Sequence, residues 1–368
     1  MSEASLSTGT DAPKRTRIME ELRRRIVQGA LVPGEQLPPR TALLRDFAAS
    51  SVTVQQALDA LKREGFVRSE PKQGTFVAEN PPHLSRYALV FGPDPDNHLQ
   101  AFTAALRRVS SAIEKEFRCD FAFFENVTGR ADTFEYQGLI HDIRTHRVAG
   151  LIFCASLDDL SLSDTPISSA PGIARVAIAG RSKAPAAPGP VCSVIPDNSV
   201  FADRSLAWLY ERGRRRVAVL ARGVSPEKTE AFLLAAQRRG MMIKPCWIHE
   251  ELTFNQARKL TELLMSSRPE ERPDGLILVN EFLIEPVGIG ILTAGVQAGS
   301  DVDIVAYSNM PCVGSPVVPM RRLGVDMRLR LRLAMDLLDR QQRGESVPPC
   351  VLLPHVFEEE LARSAGLT

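Results

Sequence analysis

The 368-residue sequence predicts an α+β head joined to an α/β body of two lobes, and three observations carry that prediction. Residues 14–77 hold three helical patterns and a hairpin pattern. Residues 80–86, "NPPHLSR", carry tandem prolines. From residue 87 onward, apolar strand runs alternate with helical patterns.

Each element has its own reason. Arg15–Gln28 reads as a helix because Ile18, Leu22, Ile26 and Val27 form one stripe, and Gly29, Pro33 and Gly34 stop it. A second short helix covers about Arg40–Phe47. The third follows "AASS", with Ser50 or Ser51 as N-cap, Val54, Ala57, Leu58 and Leu61 as its buried stripe, and Gly65 just past its end. "FVRSE-PKQG-TFVAE" is two alternating strands around a Pro/Gly turn. Three helices and a hairpin in about 65 residues is the plan of a winged helix-turn-helix, whose third helix offers its polar front to the major groove.

The tandem prolines of 80–86 predict a stiff spacer. "YALVFG", "CDFAFFE", "VAGLIFCA", "ARVAIAG", "RVAVLA", "DGLILVN" and "DIVAYS" then read as buried strands. Helices are expected near 98–117, 132–146, 226–239 and 284–298. These units are too many for one sheet of ordinary size, so two α/β lobes are expected. The domain plan is a disordered tail 1–13, a head 14–79, a linker 80–86 and a body 87–368. Lobe 1 takes about 87–195 and 310–345, and lobe 2 about 196–309 and 346–368.

Composition sets the class. The chain is 44% hydrophobic and 24% charged, and no apolar run reaches the ~18 residues a membrane span needs. The N-terminal stretch lacks the apolar core of a signal peptide. Cys119, Cys154, Cys192, Cys246, Cys312 and Cys350 form no C-x-x-C pair, which predicts reduced thiols in the cytoplasm. The net charge of +1 is unevenly spread: residues 14–77 carry 12 Lys/Arg against 7 Asp/Glu. A basic module on a mildly acidic body is the asymmetry of a nucleic-acid-binding head.

Residues 31–77 resemble the DNA-binding domain of GntR-family transcription regulators. The shared pattern stands here as Pro33-Gly34, Leu37-Pro38, Phe47, Thr53-Val54, Ala57-Leu58, Leu61, Gly65 and Gly74-Thr75-Phe76-Val77. Most of 87–364 is similar to the effector domain of the LacI family, which shares its fold with periplasmic-binding-protein-like domains. The likeness is strongest in "SVIPDNSVFADRSLAWLYERGRRRVAVLA" (193–221) and continues in 272–309 and 323–345. Together the two resemblances imply a repressor of sugar-utilisation genes.

The resemblance and the side-chain chemistry nominate sites. Gln55 and Gln56 carry amides able to pair with adenine. Ser51 and Thr53 reach phosphates or base edges, and Arg40 and Lys72 neutralise phosphates. The wing tip Lys72-Gln73-Gly74 lies against the DNA backbone or minor groove. Family members usually carry arginine where this chain has Thr41, Ser51 and Gln55, so readout is expected to be weaker or shifted toward A·T. Affinity is then expected to lean on the basic first helix, Arg15, Arg17 and Arg23–Arg25, and to fall with salt. The bland alternative makes the glutamines solvated helix residues and Ser51 a cap.

For the body, the resemblance implies an effector held between lobes by polar groups at strand ends. The matching positions are Arg181, Lys228, Phe254, Asn280, Glu281 and Ser308. Several are substitutions, so Lys228 and Arg181 point to an acidic or phosphorylated ligand, while the alternative leaves Phe254 in a core and Glu281 on the surface. Asp197-Asn198 is expected to cap a helix.

No enzyme is expected. His141 and His146 lie off one helical face without carboxylate or thiol partners at metal spacing, and no nucleophile elbow, Walker loop or dinucleotide loop occurs; "GIGIL" lacks the third glycine. No catalytic residue, metal or cofactor is nominated. The expected partners are double-stranded DNA as an inverted repeat, a small-molecule effector of the sugar class, and a second copy in a homodimer, with no membrane. Two alternatives stand beside this: a small-molecule sensing protein whose head no longer binds DNA specifically, and an effector-independent regulator.

Overall fold

The computed structural model describes residues 11–95, 99–155, 162, 165–169, 172–178, 191–223, 226–312 and 314–364. It opens with α1 (Asp11–Val27), α2 (Arg40–Asp46), α3 (Ser51–Arg63), β1 (Val67–Glu70) and β2 (Gly74–Val77). Ile18, Leu22 and Ile26 of α1 repeat at helical spacing and join Leu43, Val54, Ala57, Leu58, Leu61, Phe66, Val67 and Val77 in one core. Ser50 caps α3, its hydroxyl accepting from the Thr53 amide at 3.1 Å. Gly65 follows the helix with φ +82°, the left-handed conformation that favours glycine.

β1 and β2 pair antiparallel from Val67↔Val77 to Glu70↔Gly74. Residues 35–37 lie along them like a third strand: the Leu37 amide donates to Thr75 O at 2.8 Å, and the Val77 amide to Glu35 O at 2.8 Å. The expected three helices and wing are all present.

The expected spacer differs. Pro82–Ser85 forms a one-turn helix, α4, with Pro81, Pro82 and Ser85 buried. A Cβ placed on Gly65 would meet the Pro82 ring at 3.4 Å, and His83 stacks on Phe66 with ring centroids 6.1 Å apart. Proline has no N–H to satisfy, so it packs on the head's apolar edge at little cost. The segment is docked on the head.

The remaining elements, in order, are β3 (Arg86–Val90), α5 (Gln100–Phe117), β4 (Asp120–Phe124), α6 (Phe134–Arg144), β5 (Gly150–Phe153), α7 (Pro166–Ser169), β6 (Ala174–Ala177) and β7 (Cys192–Pro196). Next come α8 (Asn198–Glu211), β8 (Val217–Leu220), α9 (Pro226–Arg238), β9 (Ile248–His249), α10 (Phe254–Ser266), β10 (Gly275–Leu278), α11 (Ile284–Thr293) and β11 (Asp303–Met310). The chain closes with β12 (Arg321–Asp326), α12 (Met327–Gln342), β13 (Cys350–Leu353), β14 (Val356–Phe357) and α13 (Glu358–Ser364).

Backbone contacts divide the chain into two units. One comprises Met1–Phe91, Glu114–Ile152 and Ser161–Arg175; the other comprises Gly92–Ile113, Phe153–Leu160 and Val176–Thr368. Within the first, β3 and β4 pair parallel from Arg86↔Asp120 to Val90↔Phe124. Within the second, β7 pairs parallel with β13. The second unit also holds a complete six-stranded sheet of order β14-β12-β11-β10-β8-β9. Its pairings are parallel except where β14 meets β12. Apolar strands with helices between them give the expected α/β body.

The lobe boundaries come out differently. The sequence places 310–345 in lobe 1 and 346–368 in lobe 2. Instead β12 pairs with β11, and β13 pairs with β7. "LGVD" and "CVLL" are short apolar runs that any parallel sheet accepts, so their neighbours are decided by tertiary packing. Asp197 caps α8 as expected, accepting from the Ser199 amide at 3.1 Å and the Val200 amide at 3.4 Å.

Candidate nucleic-acid interface and effector site

The front of α3 is open to solvent. Ser51, Val52, Gln55, Gln56 and Asp59 are exposed, while Thr53, Val54, Ala57 and Leu58 face the core. Arg40, at the start of α2, donates to Ser51 O at 2.7 Å and to Ser51 Oγ at 3.0 Å, tying the two helix starts together. Gln55 Nε2 donates to Asp59 Oδ1 at 2.8 Å. Thr53 departs from its expected role as a DNA contact. It is fully buried, its hydroxyl 2.7 Å from Ser50 Oγ, because position 53 falls on the inward side of the first turn.

At the wing tip, Lys72, Gln73 and Gly74 are exposed, and Lys72 has φ +65°. Gln36 braces this turn by donating to Gln73 O at 2.7 Å. Gly74, at φ +119°, leaves room for that brace; a Cβ there would lie 2.8 Å from Gln36 Nε2. Gln36 escaped the sequence reading because nothing in its own neighbourhood marks a brace 37 residues away.

Arg15 and Arg17 on α1 are exposed. Within the "RRR" run, Arg23 is buried, against expectation, while Arg24 and Arg25 pair with a neighbouring carboxylate nearer the surface. Arg23 is 6% exposed, pairs with Glu64 at 2.6 Å and lies over the Phe66 ring at 5.4 Å. Arg24 and Arg25 both bind Glu21, at 2.9 and 2.7 Å, and these hydrogen bonds hold its carboxyl down at about 2. Helical i, i+3 and i, i+4 geometry offers Glu21 to both cations.

Of the effector candidates in the second unit, Asn280 and Glu281 lie just past the carboxyl end of β10, while Lys228 and Phe254 stand near the starts of α9 and α10, the helices that follow β8 and β9. Asn280, after β10, accepts from the Arg222 amide, after β8, at 2.7 Å. These adjacent strands are where the strand order reverses, because β9 lies outside β8. Glu281 accepts from Asn309 N at 3.1 Å and Asn309 Nδ2 at 2.9 Å, and burial pushes its carboxyl up. Lys228, half-buried on α9, has its ammonium shifted down by desolvation. Phe254 opens α10 and stays 41% exposed rather than entering a core.

Ser308 differs from its expected ligand role. It is fully buried in β11, and its hydroxyl makes no hydrogen bond among the described residues. Gly324 of β12 crowds its carbonyl, which a Cβ there would strike. Arg181 lies outside the described residues. Arg222, Tyr307 and Asn309 belong to the same edge and were missed. Tyr307 Oη donates to Asn309 Oδ1 at 3.2 Å, the two side chains lying on the same face of β11 by its two-residue alternation.

Residues 14–77 match the family model of bacterial regulatory proteins, gntR family. The chain carries a GntR-family helix-turn-helix head. Two curated relatives are similar over a short stretch of the chain. The probable rhizopine catabolism regulatory protein MocR of Rhizobium meliloti is 36% identical over 77 residues, 21% of this chain and 16% of that protein. The mannosyl-D-glycerate transport/metabolism system repressor MngR of Escherichia coli (strain K12) is 39% identical over 67 residues, 18% of this chain and 28% of that protein. The chain thus spans less than a third of either relative's length.

Beyond the GntR head, the fold resembles LacI-family regulators. A putative ribose operon repressor from Burkholderia thailandensis superposes with a TM-score of 0.55 at 18% identity, covering 74% of this chain and 98% of that one. Transcription regulator CcpA of Lactococcus lactis gives 0.54 at 16% identity, covering 74% and 97%. A LacI-family regulatory protein from Chloroflexus aggregans gives 0.56 at 20% identity, covering 74% and 96%. At these identities the likeness is one of fold.

Proposed function

We propose that this chain is a DNA-binding transcription regulator, acting as a repressor under the control of a small-molecule effector. The observation that carries the reading is the exposed, polar first two turns of α3, held on a buried three-helix core beside an exposed wing. Two heads of a homodimer would meet an inverted repeat, since two-fold protein symmetry asks for two-fold DNA. Arg15, Arg17, Arg40 and Lys72 supply phosphate contacts, so affinity falls steeply with salt.

The effector's place is the carboxyl edge of the second unit's sheet, at Lys228, Phe254, Asn280 and Glu281, with Arg222 and Asn309 added by the geometry. A sugar or sugar derivative suits an edge rich in amide, carboxyl and ammonium groups beside an exposed ring. The named roles of the MngR repressor and the ribose operon repressor support the same class. Effector binding biases DNA affinity by the difference in its own affinity for the two states of the protein.

A gel-shift of the full chain on DNA from its own promoter region, with excess non-specific competitor, tests the head. A competitor-resistant complex at low salt is expected. Its absence favours the reading of a sensing protein without specific DNA binding. A thermal-shift screen over sugars, sugar acids and sugar phosphates tests the body; no stabilisation by any of them favours an effector-independent regulator.

A further inference from the structure

On the front of α3, most polar groups named from sequence are already engaged. The Ser51 hydroxyl accepts from Arg40, Thr53 is buried against Ser50, and the Gln55 amide donates to Asp59. Two exposed side chains stand apart from these: Gln56, which makes no hydrogen bond among the described residues, and Val52, which is 64% exposed. They are four residues apart on one helix, so their side chains are neighbours on the same face, about 5–6 Å apart at Cβ. An exposed valine is unremarkable on an ordinary surface. Here it sits inside the arc that enters the groove, where its isopropyl group has one apolar counterpart on DNA, the thymine C5-methyl.

Resting on the reading of the head as a specific DNA reader, we propose that Val52 and Gln56 together recognise an A·T-containing step in each half-site. Val52 packs on a thymine methyl. Gln56 pairs with the N7 and N6 edge of an adenine, while Gln55 stays with Asp59 and reads no base. An A·T pair offers both features in the major groove, so the two side chains read one chemical class of target.

The experiment uses the full-length chain and a site enriched from a random duplex library at low salt. Each thymine of that site is replaced singly by uracil, which removes only the methyl, and each adenine by 7-deazaadenine, which removes only N7. One thymine per half-site is expected to lose about fourfold in affinity as uracil, the worth of one buried methyl. Val52→Ala is expected to weaken binding to the unmodified site and to be indifferent to uracil at that position. One adenine per half-site is expected to be sensitive to 7-deaza substitution in the unaltered protein and in Gln55→Ala, and insensitive in Gln56→Ala.

Val52 and Gln56 lie at the surface, so unchanged melting temperatures for both variants establish that the head is folded. An enriched site indifferent to every uracil, or a Val52→Ala protein that keeps the uracil effect, overturns the inference and leaves specific DNA binding intact. Failure to enrich any site overturns it together with the reading of the head.

Discussion

The head and the sheet edge of the second unit solve opposite problems with polar side chains. In the head, the exposed groups proposed to face DNA stand on an apolar core, and their hydrogen bonds, such as Arg40 to Ser51, stay at the surface. At the sheet edge, Asn280, Glu281, Asn309 and Tyr307 bond to one another and to backbone, and Glu281 is desolvated enough to raise its carboxyl. A rigid duplex calls for a preformed face at the surface, held in shape by the core beneath it. A small ligand needs groups oriented in advance at the end of a buried sheet.

The sharpest break of that comparison is Gly324→Ala. Its Cβ would collide with the Ser308 backbone in the neighbouring strand, so a loss of about 4 kcal/mol or more in denaturant unfolding is expected, confined to the second unit. Retention of full stability would mean that β11 and β12 are not packed this closely.

Acid comes next. Burial lowers the His355 imidazole to about 4 from 6.5. The unfolded chain then binds the extra proton between those values. His355 therefore contributes its full stability above pH 6.5 and loses it as pH falls toward 4, by about 2–3 kcal/mol in an unfolding titration. His355→Phe should flatten that slope. His83, on the turn stacked against the head, is lowered to about 4 mainly by burial, and its contribution has the same sign.

Glu64→Ala leaves Arg23 buried without its carboxylate. The expected cost is about 2 kcal/mol, read as a lower melting point of the head alone. At the small end, Gln55→Ala should change stability by less than about 0.5 kcal/mol, because the Gln55–Asp59 contact is exposed. Circular dichroism melts suffice for both.

Much of the head was legible because its signals are local. The Ser50 cap, the i, i+4 stripe of α3, and the Pro/Gly turn between β1 and β2 each depend on residues within a few positions. The exposed valine was overlooked for the converse reason: a single apolar residue in a helix front carries no pattern. Arg23 misled because charge composition does not reveal Glu64, 41 residues on. The candidate sheet-edge residues Asn280 and Glu281 were found by resemblance, yet their partners Arg222 and Asn309 were not.

By itself the sequence determined the three helices and hairpin of the head and that the body is α/β, since these follow from spacing and composition along short windows. Tertiary structure alone decided that Thr53 and Ser308 point inward, that β12 joins β11 while β13 joins β7, and that the proline segment docks on the head. Those outcomes depend on which distant surfaces meet, and a strand's apolar run states that it is buried without naming its neighbour.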